Sequence, residues 1–198
     1  EWAAYEQAFL RPVNFPKGTP GRGASVFVAR NGARVLVMNI MGRVFMSPDL
    51  DDPFAAAERE LAACPPGEQA DAALIAFHAE ATSEKMCFGH FVDGRASFVV
   101  GTHTHVPTAD AQILNGGTAY MSDAGMCGDY DSSLGMEKEE PINRFISKMP
   151  KGRFEAASGP ATICGVGVEI SDRTGLAEKI APLRIGPRLA ETLPSFWV

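Results

Sequence analysis

The stretch Ala96-Ser97-Phe98-Val99-Val100-Gly101-Thr102-His103-Thr104-His105 decides how this chain reads. A mostly apolar run followed by glycine reads as a buried strand, and the two histidines one residue apart are what that strand delivers at its carboxyl end. In an α/β protein, ligands and chemistry collect at the carboxyl ends of strands. Alternate side chains of an extended segment share a face, so His103 and His105 are expected to point the same way and to grip one metal centre. A third histidine closes another apolar run, Ala73-Leu74-Ile75-Ala76-Phe77-His78. The two runs are expected side by side in a parallel sheet, which makes His78, His103 and His105 a candidate metal site built on strand ends. A lone histidine closing a strand is more often a hydrogen-bonded core or surface residue; the spacing and its recurrence at a second strand end favour ligation here. His90, in Phe88-Gly89-His90-Phe91, reads instead as a helix end with a capping or surface role.

The chain has 198 residues and 45% apolar composition, which suits one domain with a sizeable core. No apolar stretch approaches the ~20 residues needed to cross a bilayer, so no membrane partner is expected. The opening Glu1-Trp2-Ala3-Ala4-Tyr5-Glu6 is polar and amphipathic, unlike a signal peptide, and its lack of Met suggests that the chain begins inside a longer product. With a net charge of −6 and no basic cluster, binding to long nucleic acid is disfavoured, whereas a small anionic substrate remains compatible with a metal supplying local positive charge. Cys64, Cys87, Cys127 and Cys164 are scattered and form no C-x-x-C pair, which reads as reduced thiols in a cytoplasmic protein.

Residues 1–10 read as a short helix ended by Pro12 and Pro16. A hairpin is expected from 24–30 and 33–40 around Asn31-Gly32. Asp52 and Pro53 supply the N-cap and first residue of a helix that Pro65-Pro66-Gly67 stops. A helix is expected from Ser83 to about Phe91, a strand over 116–121, and a glycine-rich loop from Asp123 to Gly135. Pro141 is read as opening a helix through Lys148, and strands near 162–170 and 177–185 flank the turn Asp172-Arg173-Thr174-Gly175. Strands alternating with helices in mid-chain, with antiparallel hairpins at both ends, describe a mixed-sheet α/β fold.

At His78-Ala79-Glu80-Ala81-Thr82-Ser83-Glu84-Lys85, Asp93-Gly94-Arg95 and Val99-Val100-Gly101-Thr102-His103-Thr104-His105-Val106, the chain resembles the YmdB-type metallophosphoesterases of the calcineurin-like superfamily. The likeness continues through Thr108-Ala109-Asp110, Gly117-Thr118-Ala119-Tyr120, Asp123-Ala124-Gly125-Met126 and Gly135-Met136, and back to Arg11-Pro12-Val13-Asn14-Phe15-Pro16 and Leu50-Asp51-Asp52-Pro53-Phe54. The resemblance implies a mixed-sheet sandwich with flanking helices, over residues 1–198 as one domain lacking the family's opening strands and helices. It implies a metal-dependent phosphodiesterase acting on small phosphoesters, including 2′,3′- or 3′,5′-cyclic nucleotides, with His78, His103 and His105 among the ligands of two divalent ions. Fe, Mn, Zn and Mg are not distinguished by such donors. The family's Asp, bridging Glu, Asn and proton-transfer His are expected in an opening segment and are not found in this sequence. Ala76 is a further departure, since relatives often carry Asp two residues before that histidine.

Glu80, Glu84 and Lys85 read most simply as a solvated helix start. Asp123, Gly125, Gly128, Tyr130 and Asp131 either border the substrate or a subunit contact of a homo-oligomer, or form a glycine-rich turn with structural duties. Met121, Met126 and Met136 read as gap-filling core residues. Amidohydrolases also place HxH at a strand end, but on the first strand of a barrel of ~250 residues. A non-catalytic binding or regulatory protein that keeps the fold with an incomplete metal site is the rival reading from another class.

Overall fold

The computed structural model describes residues 9–47 and 49–197. The helix expected over residues 1–10 lies outside them except for its last two positions, where Leu10 bridges to Arg22. Asn31-Gly32 turns the chain as that dipeptide predicts: Gly32 takes φ +90°, and β1 (Ala24–Val28) pairs antiparallel with β2 (Arg34–Met41). Parallel pairing then runs from β2 to β3 (Ala72–His78), to β4 (Phe98–Thr102), and on to β6 (Ala119–Met121). A two-residue strand, β5 (Gln112–Ile113), pairs antiparallel with β6 and completes a six-stranded sheet in the order β1-β2-β3-β4-β6-β5. Its brevity leaves no alternation to read, which is why the sequence does not announce it.

Two helices cover one face of this sheet. In α1 (Pro53–Ala63), Asp52 Oδ1 accepts from Phe54 N at 2.8 Å and Ala55 N at 3.4 Å, satisfying donors that the first turn leaves without helical partners. The second, α2 (Thr82–Phe91), ends with His90 exposed in its last turn, as expected. Alternation along the strands turns Leu36, Met38, Ile40, Ala73, Ile75, Phe77 and Val99 toward these helices, all buried. Phe77 and Phe88 stack with centroids 4.2 Å apart at the centre, where truncating either ring would cost about 3–5 kcal/mol.

The other face behaves differently. Val37, Asn39, Met41, Ala76, His78, Val100 and Thr102 point there and are only half-buried. A cavity of about 480 Å³ opens over it, lined in part by Phe27, Val37, Ala76, His78 and Thr102. Beyond β6 the glycine-rich loop leads to α3 (Glu139–Ser147), which starts two residues before Pro141 because proline is tolerated in a first turn. A second sheet, the antiparallel pair β7 (Ile163–Ile170) and β8 (Ala177–Ile185), packs against the β5–β6 edge. Ser97 ties it down: its hydroxyl donates to Gly175 O and accepts from Ala73 N at 2.8 Å. The result is the mixed α/β sheet structure with flanking helices expected from the sequence. Among the described residues no helix is long and apolar enough to cross a membrane.

Candidate metal centre

Parallel register places His78 opposite Thr102, so the residue after β4 arrives beside the residue that ends β3. His78 Nε2 and His103 Nδ1 face each other at 3.0 Å, with the rings edge to face. Each ring is held from behind. His78 Nδ1 is 3.0 Å from Thr102 Oγ1, and His103 Nε2 is 2.8 Å from Glu80 Oε2. A carboxylate only accepts, so His103 carries its proton on Nε2 and turns a lone pair on Nδ1 toward His78. With that acceptor, the 3.0 Å bond has His78 Nε2–H donating and Thr102 Oγ1 donating to His78 Nδ1; were Thr102 to accept from His78 Nδ1 instead, His78 Nε2 would present a second lone pair across the same gap.

That pair of donors fits a cation. Two ring nitrogens bound to one ion at about 2.0–2.1 Å stand about 2.9–3.4 Å apart for angles of roughly 90–110° at the ion. His105 faces elsewhere: its Nδ1 lies 3.1 Å from Leu134 O. A carbonyl also only accepts, which leaves His105 Nε2 as the free nitrogen. Among the described residues no group of three or more His, Cys, Asp and Glu side chains is arranged to hold an ion. The imidazoles therefore fit part of a donor set, and a carboxylate complement is not among them.

The backbone explains why the histidines diverge. An extended segment would put His103 and His105 on one face, but β4 ends at Thr102 and both take positive φ, +113° and +66°. Non-glycine residues held there carry strain of order 1–3 kcal/mol, which surrounding contacts must impose. Those contacts come from two residues that the sequence presents as surface charge and loop. Lys85 Nζ donates to Thr102 O at 2.8 Å and pairs with Asp123 Oδ2 at 3.2 Å, with both side chains 1% exposed. Asp123 Oδ2 accepts from Thr104 N at 2.8 Å, and Asp123 Oδ1 accepts from Gly125 N at 2.9 Å. The ion pair thus grips the residues before and after His103.

Glu84 and Lys85 are accordingly not a solvated helix start: Glu84 is buried and accepts from Arg43 N at 2.9 Å and Val44 N at 3.1 Å. The signal was present in the spacing, because Glu84, Lys85, Phe88 and Gly89 fall on one face of α2, and all are buried. Glu80 is exposed, precedes α2 and meets His103. Of the methionines read as core, Met121 is fully buried, Met126 half-buried and Met136 38% exposed, the last because it lies in the irregular loop after Asp123 and not on the sheet.

Burial lowers the His78 pKa, and charge on His103 and Lys85 adds to it. A neutral imidazole is the ligating form. His105 contributes a weaker push of the same sign, so the three rings share one electrostatic neighbourhood.

A protein-family model, the YmdB-like protein family, matches residues 1–183. The chain belongs to the YmdB-like family. It is 49% identical over 176 residues to the 2′,3′-cyclic-nucleotide 2′-phosphodiesterase of Bacillus subtilis (strain 168), an alignment covering 89% of this chain and 65% of that protein. The chain thus spans a little under two thirds of that relative's length. Among solved structures it is similar to a protein from Thermus thermophilus, at 43% identity and TM-score 0.82, covering 92% of this chain and 70% of that one. It is likewise similar to a Mycoplasma pneumoniae structure described as a novel phosphatase, at 32% identity and TM-score 0.80, covering 89% and 63%. The YmdB-like assignment and the phosphatase-type fold agree with the motifs around His78 and His103.

Proposed function

We propose that this chain supplies the histidine half of a two-ion phosphodiesterase centre, and that the whole protein hydrolyses small phosphodiesters with 2′,3′-cyclic nucleotides as the leading class. The observation that carries this reading is the facing pair His78 Nε2 and His103 Nδ1, each anchored through its outer nitrogen. The name of the 49% identical Bacillus relative supports the substrate class.

In this reading His78 and His103 would hold one divalent ion through their facing nitrogens, and His105, which faces elsewhere, would keep Nε2 free as a donor to the second ion. Thr102, Glu80 and Leu134 O fix which nitrogen of each ring is free. Lys85 and Asp123 hold the backbone that presents His103. A pair of divalent ions supplies charge neutralisation on the ester oxygens and a nucleophilic water near neutral pH. The free thiols suit a reducing, cytoplasmic setting.

The test is hydrolysis of 2′,3′-cyclic AMP and bis-p-nitrophenyl phosphate by the full-length protein, with Mn²⁺ and with chelator. Turnover is expected with metal and lost both on chelation and in His103→Ala. Turnover that persists after thorough metal removal refutes the reading. The incomplete ligand set among the described residues favours one rival, a non-catalytic binding protein. No turnover with any metal, alongside retained metal binding, would select it.

A further inference from the structure

Beside His105 the glycine-rich loop and α3 enclose a groove of about 490 Å³, a size typical of small-ligand sites, walled by His105, Leu134, Met136, Arg144, Phe145 and Phe154. Its chemistry differs from that of the histidine cluster. The surface is apolar, with one guanidinium whose carbon lies 4.0 Å above the Phe154 ring. Arg144 is fixed there by Glu140 Oε1 at 2.7 Å and Gly152 O at 2.9 Å, which makes a rigid flat wall of cation and ring. Phe145 stands 86% exposed and Phe154 51% exposed, an arrangement that leaves two large rings in water. Leu134 links groove and histidines directly, since its side chain lines the groove while its carbonyl accepts from His105.

We propose that this groove is a base subsite: it seats the flat heterocycle of a nucleotide while the phosphate reaches the histidines. The proposal rests on the phosphodiesterase reading and adds to it the part of the substrate that is recognised. Aromatic rings and a guanidinium plane bind any base through its π face, so the groove selects nucleotides over base-free phosphodiesters without choosing among bases. A second copy of the chain is a poorer occupant. The exposed apolar residues Ile142 and Ile146 of α3, and Met149 after its end, do not line the groove, so a partner seated on them would leave the groove unfilled.

The test is a ligand-observed NMR titration of the chain, in chelator, with adenosine 2′-monophosphate and with the base-free methyl riboside 2-phosphate. The adenosine compound is expected to bind at least about tenfold more tightly, within the range of base–aromatic stacking. Phe145→Ala, at an exposed position, is expected to abolish that preference, and Ile146→Ala to keep it. Equal affinities in the native chain, or a preference untouched by Phe145→Ala, overturn the proposal. So does a preference that vanishes in Ile146→Ala together with self-association seen by sedimentation, which assigns the surface to a second copy. Base preference without any turnover by the full-length protein sinks the phosphodiesterase reading alone. Turnover without base preference sinks the subsite alone.

Discussion

Lys85 Nζ and Asp123 Oδ2 lie 3.2 Å apart in the interior, and together they hold the backbone on both sides of His103. A buried pair of this kind is costly to break, because the remaining charge stays in the interior without its counter-ion. Lys85→Met is therefore expected to lower stability by about 3–5 kcal/mol in urea denaturation. Adding Asp123→Leu should recover only part of that loss, since the Thr104 and Gly125 amides then lose their acceptor. A Lys85→Met protein as stable as the native chain would show that the pair contributes little.

In the proposed metal-binding role, His103 sets stability against ligation. At φ +113° glycine is the residue the backbone favours, so His103→Gly is expected to stabilise the fold by about 1 kcal/mol of released strain. The same change should abolish Mn²⁺ or Zn²⁺ binding measured by calorimetry. A variant that melts earlier than the native chain would mean that the contacts of His103 with His78 and Glu80 outweigh the strain.

Gly101 is required for a different reason. A Cβ there would collide with Ser122 O and lie 3.3 Å from Lys85 Cδ, so β4 and the segment after β6 approach closely only because the side chain is missing. Gly101→Ala should cost at least about 3 kcal/mol, the upper end of overpacking, with the loss read from thermal melting. A loss under about 1 kcal/mol would show that the two segments part easily.

Asp110 gives a pH signature. Burial opposes its charge, but hydrogen bonds from Ser122 and Thr108 prevail and hold its pKa below the usual carboxylate value. Such a group contributes stability that is fully present above its unfolded pKa of about 3.8 and is lost as pH falls through the lower folded value. The difference in melting temperature between the native chain and Asp110→Asn should therefore narrow as pH drops below about 3.8. A gap that stays constant through that range would rule out the linkage.

What the sequence revealed follows a physical division. Asn31-Gly32 and Asp52-Pro53 act through local backbone chemistry, and both the hairpin and the capped helix stand where those dipeptides placed them. The parallel neighbours β3 and β4 were legible because both runs are apolar and end in histidine. The course of the chain after Thr102 was not, since positive φ at His103 and His105 is imposed by partners distant in sequence. The buried roles of Glu84 and Lys85 were hidden by residue type but visible in helical phase beside Phe88 and Gly89, where Gly89 admits Tyr120 because a Cβ would stand 2.6 Å from its ring.

The grip of Asp123 on Thr104 also sets an order of assembly. Strand β3, helix α2 and strand β4 are contiguous in the chain and pair as one crossover unit, so their core can condense early. Asp123 arrives only after β6 has docked on β4. A nascent chain synthesised only as far as His105 thus carries all three histidines, while the backbone at His103 still lacks the contact that fixes it.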